Sequence, residues 1–212
     1  MKVAFINGSP RKDAGITARL LRVMEERLQG CEIVRGWDSL APFACEGGGA
    51  AAPGGADAIL IAFPLYVDGI PSNLLRELIE HEQGLPPGTR VYALVNNGFY
   101  EGEQNATAIS MIRNWCARAK LAWGQGVGVG AGEILKREAI MAMAAVVARG
   151  SLKRYNGALD ALAANILAGK GGGDVCTRPG LSRAMYIRGG NISMRAAAKA
   201  NGLSDGEIER RL

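Results

Sequence analysis

Histidine is almost absent from this chain, and cysteine is sparse. The 212 residues contain one histidine, His81, and four widely spaced cysteines that form no Cys-x-x-Cys pair. Zinc sites, iron–sulfur clusters and dithiol centres need clustered ligands, so we predict no metal site. His81 stands between Glu80 and Glu82 late in a predicted helix. We interpret it as a solvated helix end rather than as a catalytic base.

Long apolar runs and aromatic side chains are also scarce. The most apolar segment, Ala139 to Ala148, is far shorter than a membrane span, and the chain opens without a signal-peptide pattern. We therefore expect a cytoplasmic protein without a membrane partner.

The net charge is +5, but the basic residues are scattered and aromatics make up only 6%. This pattern disfavours nucleic-acid binding, and an anionic small ligand or a solvated surface explains the charge.

Short apolar segments alternate with segments of helical periodicity, which is the pattern of a doubly wound α/β fold. We predict one flavodoxin-like sheet of five parallel strands in the order 2-1-3-4-5, with helices on both faces. The predicted strands are Val3–Ile6, Glu32–Trp37, Ala58–Phe63, Val91–Val95 and residues 121–130. The predicted helices are residues 15–29, a helix opened by Pro71, and residues 103–119, 133–148 and 151–168.

Several glycines in the second half of the chain predict close packing, a helix break and a flexible link. Gly126, Gly128 and Gly130 alternate in the fifth strand, so a helix or a ligand edge is expected to pack closely on that face. Gly150 is predicted to separate two helices, with Ser151 capping the second. Residues 169–173 are predicted to be a flexible link.

We divide the chain into a domain at residues 1–170 and a basic helical extension at residues 171–212. The extension is predicted to be helical from Ser182 to Ala200. Ser204 and Glu207 then have the spacing of a capping box for a last short turn. The extension is expected to pack on the domain or on a partner subunit.

The first strand enters its helix through a loop that suits a phosphate. The loop, Asn7-Gly8-Ser9-Pro10-Arg11-Lys12, leads into a helix that begins near Gly15. A strand-to-helix loop directs unpaired N–H groups and the positive end of the helix dipole to one place. The same place is expected to receive the hydroxyl groups of Ser9 and Thr17 as hydrogen-bond donors. It is also expected to receive the positive charges of Arg11 and Lys12. The Walker and dinucleotide glycine patterns are missing, so a terminal phosphate, as on a mononucleotide, is expected.

Two further unusual loops follow the third and fourth strands. They are Phe63-Pro64-Leu65-Tyr66-Val67-Asp68 and Asn96-Asn97-Gly98-Phe99-Tyr100-Glu101-Gly102. In an open α/β sheet the carboxyl ends of the strands form the ligand crevice, so the three loops are expected to converge. Together they resemble the flavodoxin-like NAD(P)H-dependent FMN reductase family over roughly the first 135 residues.

The resemblance implies an FMN site built from these loops. Ser9, Arg11 and Thr17, with the backbone amides of Gly15, Ile16 and Thr17, would hold the phosphate. Along the isoalloxazine would lie Pro64, Leu65, Tyr66 and Val67, with an amide between Val67 and Gly69 facing N5. The pyrimidine edge would contact Asn97, Gly98 and Phe99. Either Tyr66 or Phe99 would flank the ring.

Two positions depart from the family pattern. Ile16 stands where many relatives carry asparagine, which removes one side-chain donor and predicts a lower affinity for FMN. Cys45 stands alone where many relatives carry a cysteine cluster, which disfavours an iron–sulfur flavoprotein. Asp68 has two interpretations, a substrate contact and the cap of the Pro71 helix, and capping is favoured.

The family resemblance implies an enzyme that passes hydride from NAD(P)H to FMN and on to a quinone, flavin, nitro or azo acceptor. The flavin would do the chemistry, so we predict no catalytic side chain. The alternative from another class is an FMN electron carrier of the flavodoxin type, but such carriers are usually acidic and this chain is basic. A hydrolase is remote because the loop has no cysteine and no nearby histidine. The family also suggests a homodimer or a dimer of dimers.

Overall fold

The computed structural model describes residues 1–37, 55–135, 145–208 and 210. It has six parallel strands, in the order β2-β1-β3-β4-β5-β6. The strands are β1 (Lys2–Asn7), β2 (Glu32–Arg35), β3 (Ala58–Pro64), β4 (Arg90–Asn96), β5 (Ala122–Val129) and β6 (Val175–Thr177). The five predicted strands and their order are therefore confirmed, but the predicted strand count is one too low. The added strand β6 lies within residues 171–212, the predicted extension.

Helices cover both faces of the sheet. They are α1 (Ile16–Arg27), α2 (Ser72–Glu80), α3 (Ala106–Arg118), α4 (Ala145–Leu167), α5 (Arg183–Ala200) and α6 (Asp205–Ile208). Two short 3₁₀ segments, Gly102–Asn105 and Gly132–Leu135, follow β4 and β5. Residues 38–54, which include Cys45, lie outside the described residues.

Alternate residues of each central strand face opposite cores, as the period of two requires. In β3, Leu60 packs with α1 and α4, whereas Ile59 and Ile61 pack with α2 and α3. All three side chains are completely buried. Both faces of the strand are therefore apolar, which explains why its sequence is an uninterrupted apolar run.

The helix α4 runs through Gly150, so the predicted break at this glycine is wrong. Gly150 lies at a close backbone approach: a Cβ on Gly180 would lie 2.7 Å from the carbonyl carbon of Gly150. Ser151 does not cap a helix here. Its hydroxyl accepts a hydrogen bond from the Gly180 amide at 2.7 Å. The two glycines allow the segment after β6 to lie close to α4, and the Ser151 hydrogen bond holds it there.

The glycine-rich segment at residues 169–173 is packed rather than free, which corrects the prediction of a flexible link. The Gly172 amide donates to the carbonyl of Gly124 at 2.9 Å, and Gln125 donates to the carbonyl of Gly173 at 2.7 Å. Asp174 then accepts a hydrogen bond from the Gly126 amide at 2.8 Å. These bonds bring the chain along β5 and into position to form β6.

The alternating glycines in β5 and directly after it allow other parts of the protein to pack closely against this strand. The space beside them is filled by a helix and by main-chain atoms, not by a ligand. A Cβ on Gly126 would overlap the side chain of Ile109 in α3. On Gly128 it would meet the Gly102 carbonyl at 2.9 Å, and on Gly130 the Gly102 amide at 2.5 Å. The predicted close packing is confirmed, and its occupants are α3 and the 3₁₀ segment after β4.

The C-terminal helices begin where the sequence predicts. The Ser182 hydroxyl caps α5 by accepting from the Met185 amide, and Ser204 and Glu207 form the capping box of α6. No residue of α5 is buried. Among the described residues, no helix is long and apolar enough to cross a membrane.

Candidate functional site

A cleft of about 210 Å³ lies at the carboxyl ends of β1, β3 and β4. Its walls come from the three loops that the sequence singles out. It is lined by the predicted residues Ser9, Arg11, Gly15, Ile16, Thr17, Pro64, Leu65, Tyr66, Asn97 and Gly98. Ala14, Asn96 and Glu133 also line it. Val67, Gly69 and Phe99, the remaining predicted residues, are outside this lining.

The N-terminus of α1 forms one part of the cleft wall. Within the described residues, no side chain caps this helix, so the N–H groups of its first turn have no side-chain acceptor there. The residue before it, Gly15, has φ 102° and ψ −171°, a conformation that is essentially restricted to glycine. The buried Ser9 hydroxyl accepts from the Arg11 amide at 3.2 Å, which leaves its own proton for a ligand. Backbone N–H groups, one hydroxyl group and the Arg11 side chain are therefore available to bind an anion here.

Thr17 has a different role from the one predicted for its hydroxyl. The hydroxyl is buried and donates to Oδ1 of Asn96 at 2.8 Å. It thus joins α1 to the end of β4, and its single proton is engaged with the protein. The backbone amide of Thr17 remains in the first turn of α1.

Asn97, which also lines the cleft, has a buried acceptor without a donor. The residue is only 5% exposed, and its Nδ2 donates to the carbonyl of Glu101 at 3.1 Å. Its Oδ1 is fully buried and has no hydrogen-bond partner among the residues that the structure describes. A buried carbonyl without a donor costs on the order of 1–3 kcal/mol, so a ligand N–H at this atom would stabilise the protein.

The loop after β3 forms a tight turn with unusual backbone angles. Tyr66 and Gly69 exchange hydrogen bonds of 3.1 and 2.9 Å, and the two residues between them have positive φ angles, 48° for Val67 and 55° for Asp68. These are the angles of a type I′ turn, in which a β-branched residue is strongly disfavoured. Asp68 does not cap α2, because Pro71 holds the N-cap position and no side chain bonds there. The favoured interpretation of Asp68 is therefore wrong.

Replacing Val67 with asparagine is expected to stabilise the free protein by about 1 kcal/mol. Asparagine tolerates the left-handed conformation, and the Val67 side chain is fully exposed, so no packing is lost. Urea unfolding of the variant beside the unmodified chain measures the gain. Val175→Asn is the matched control and should lose stability, because Val175 is in strand β6. An equal or lower stability for Val67→Asn would show that the turn is not strained.

Other predictions about single residues turn out differently. His81 ends α2, as predicted, but its ring is half-buried and stacks on Trp37 with centroids 4.7 Å apart. Glu133, which no sequence pattern singled out, belongs to the 3₁₀ segment after β5 and lines the cleft. Only its position after a strand could have indicated it. In the described part of the chain, no group of three or more acidic, cysteine or histidine side chains could hold a metal.

Comparison with solved structures identifies the fold as flavodoxin-like. The flavodoxin of Streptococcus pneumoniae TIGR4 matches with a TM-score of 0.52 and 13% identity, over 80% of this chain and 99% of that one. A flavodoxin variant from Pseudomonas aeruginosa matches with a TM-score of 0.52 and 17% identity, over 79% and 99%. Rubredoxin oxygen:oxidoreductase from Desulfovibrio gigas matches with a TM-score of 0.50 and 16% identity, over 79% of this chain and 35% of that one.

No protein-family model and no curated protein matches the sequence. At such low identities the structural likeness establishes the fold alone.

Proposed function

We propose that the cleft binds FMN and that the protein is an NAD(P)H-dependent FMN oxidoreductase. The observation that carries the proposal is that two groups without protein partners belong to residues that line one cleft. The first is the uncapped N-terminus of α1, and the second is the buried, donor-free Oδ1 of Asn97. FMN has a phosphate at one end and, on its pyrimidine ring, an N–H group at the other.

The residues that line the cleft fit such a ligand. Arg11, Ser9 and the first-turn amides of α1 would hold the phosphate, with Gly15 shaping their approach. Oδ1 of Asn97 would accept the pyrimidine N–H. Pro64, Leu65 and Tyr66 also line the cleft and would contact the ring. When bound, FMN would supply the redox chemistry, taking hydride from NAD(P)H and passing electrons to a quinone, flavin, nitro or azo acceptor.

Two exposed aromatic side chains, one in the cleft lining and one next to it in the chain, support a site for a second substrate. Phe99 is 56% exposed, and Tyr66 is also exposed at the end of the neighbouring strand. Stacking on exposed aromatic surface suits a nicotinamide or an aromatic acceptor. The net charge of +5 supports the enzyme over an electron carrier, because the carriers with this fold are usually acidic.

The test is the visible spectrum of the purified protein with added FMN, recorded under nitrogen before and after NADPH or NADH. The proposal expects perturbed flavin bands that bleach when the nicotinamide is added. Riboflavin, which lacks the phosphate, should bind at least tenfold more weakly. Bands that shift but do not bleach with either nicotinamide would favour the carrier. No binding at micromolar FMN would overturn the flavin site itself.

We also propose that the protein forms a homodimer or a dimer of dimers. The exposed side chains of Phe99, in the loop after β4, and of Leu75, on α2, support an apolar contact between subunits. Light scattering during size-exclusion chromatography distinguishes the proposed states. A mass of one chain at micromolar concentration would contradict the proposal.

A further inference from the structure

The chain after β6 turns back over the loop that follows β4. We name residues 178–186 the C-terminal clasp and residues 97–103 the β4 loop. The Tyr186 hydroxyl donates to the carbonyl oxygen of Gly98, and the Tyr100 hydroxyl donates to the carbonyl oxygen of Leu181 at 2.7 Å. The rings of Tyr100 and Tyr186 lie side by side, with centroids 5.8 Å apart. Each segment therefore donates one tyrosine hydrogen bond to a backbone carbonyl of the other.

Two ion pairs hold the same segments together. Arg183 bonds Glu101 at 2.7 Å, and Arg178 bonds Glu103 at 2.8 Å. The hydrogen bond from Arg183 lowers the pKa of Glu101, and the one from Arg178 lowers the pKa of Glu103. Both carboxylates are thus charged at neutral pH, and the clasp is basic where the β4 loop is acidic.

Gly98 is the point at which the clasp reaches the cleft. Gly98 lines the cleft and is exposed, and it has no Cβ to restrict its backbone. The carbonyls on either side, those of Asn97 and Phe99, accept main-chain hydrogen bonds from Gly132 and Ala131, whereas the hydrogen bond to the Gly98 carbonyl comes from the Tyr186 side chain. Because a trans peptide is planar, fixing the Gly98 carbonyl also fixes the Phe99 N–H, which faces the opposite way.

We propose that Tyr186 is a positioning residue that locks the Gly98–Phe99 peptide and so presets the β4 loop for its ligand. The inference rests on the proposed FMN site, in which the Phe99 backbone lies among the predicted contacts of the pyrimidine edge. It assigns to the C-terminal extension a role in the cleft that the sequence did not indicate. Burial raises the pKa of Tyr186, and the charges of Glu133 and Glu101 add to the rise. The hydroxyl is therefore protonated, and able to donate, at neutral pH.

The test is Tyr186→Phe in the full chain, which removes the hydroxyl and keeps the ring. Amide hydrogen exchange of the protein without flavin should be at least threefold faster at Ala131 and Gly132, whose N–H groups donate to the carbonyls of Phe99 and Asn97, with the exchange of β3 and β4 unchanged. The affinity for FMN should fall about fivefold, with a thermal midpoint within about 2 °C of the unmodified chain. A merely structural tyrosine would lower the midpoint and leave the exchange of these two amides unaltered.

Tyr100→Phe is the matched control, because it removes the other hydroxyl of the pair, which bonds the clasp rather than the cleft wall. It should keep the FMN affinity within twofold. Unchanged exchange at Ala131 and Gly132 in Tyr186→Phe would overturn the inference, and so would an equal loss of affinity in both variants. If the unmodified chain binds no FMN, the proposed function fails, and the exchange experiment still decides whether Tyr186 holds the loop.

Discussion

Replacing Gly15 with alanine is expected to weaken FMN binding by about 10- to 100-fold. The backbone at Gly15 has φ 102° and ψ −171°, and holding a residue with a Cβ there costs on the order of 1–3 kcal/mol. Space is not the obstacle, since the atom nearest to an added methyl group is Cδ of Arg11 at 4.0 Å. The backbone must therefore rotate, which turns the first N–H groups of α1 away from the phosphate. Titration of FMN followed by flavin fluorescence measures the loss.

Gly30→Ala is the control at the other end of the same helix. Gly30 also has a positive φ, 90°, and nothing lies within 4 Å of the position of its Cβ. The variant should lose about 1 kcal/mol of stability, as Gly15→Ala does, while its FMN affinity stays unchanged. Riboflavin should bind the Gly15→Ala variant and the unmodified chain about equally. Unaltered FMN affinity in Gly15→Ala would place the phosphate somewhere other than the N-terminus of α1.

The central strands and the place of the cleft could be predicted because strong local signals specify them. A strand that is buried on both faces, such as Ala58–Pro64, must be apolar at every position, and its neighbours follow from right-handed crossovers. Loops at the carboxyl ends of such strands meet at one edge of the sheet. Ser9, Tyr66 and Asn97 could therefore be placed together from the amino-acid sequence alone.

The remaining features depend on contacts between distant segments, which leave little trace in local sequence. The three residues of β6 are too few for a periodic pattern, and their pairing follows from Asp174 and the packing around Gly102. Gly150 has the local signature of a helix break, but its partner Gly180 lies thirty positions away. Valine prefers the extended conformation of a strand, but Val67 has a positive φ angle. Residue propensities therefore do not predict the turn at Val67.

Replacing Gly102 with alanine is expected to destabilise the fold by about 3 kcal/mol or more, the largest stability loss that we predict. A Cβ at this position would overlap the carbonyl oxygen of Thr177, and it would lie 2.8 Å from the Thr177 amide and 3.0 Å from the Gly128 oxygen. All three atoms are main chain, so no side-chain rotation relieves the overlap. The 3₁₀ segment must move away from β6, and the thermal midpoint should fall by roughly 6–12 °C.

Gly157→Ala is the matched control, since it adds the same methyl group in the interior of α4, where nothing lies within 4 Å. It should raise stability by about 0.5–1 kcal/mol, because alanine is the better helix former. The Gly102 variant should also exchange its amides faster at Val175–Thr177 and across the β4 loop, since the same contacts hold both. If it proves as stable as the unmodified chain, β6 does not pack on this loop. The C-terminal clasp would then lose its anchor, and with it the link between the extension and the cleft.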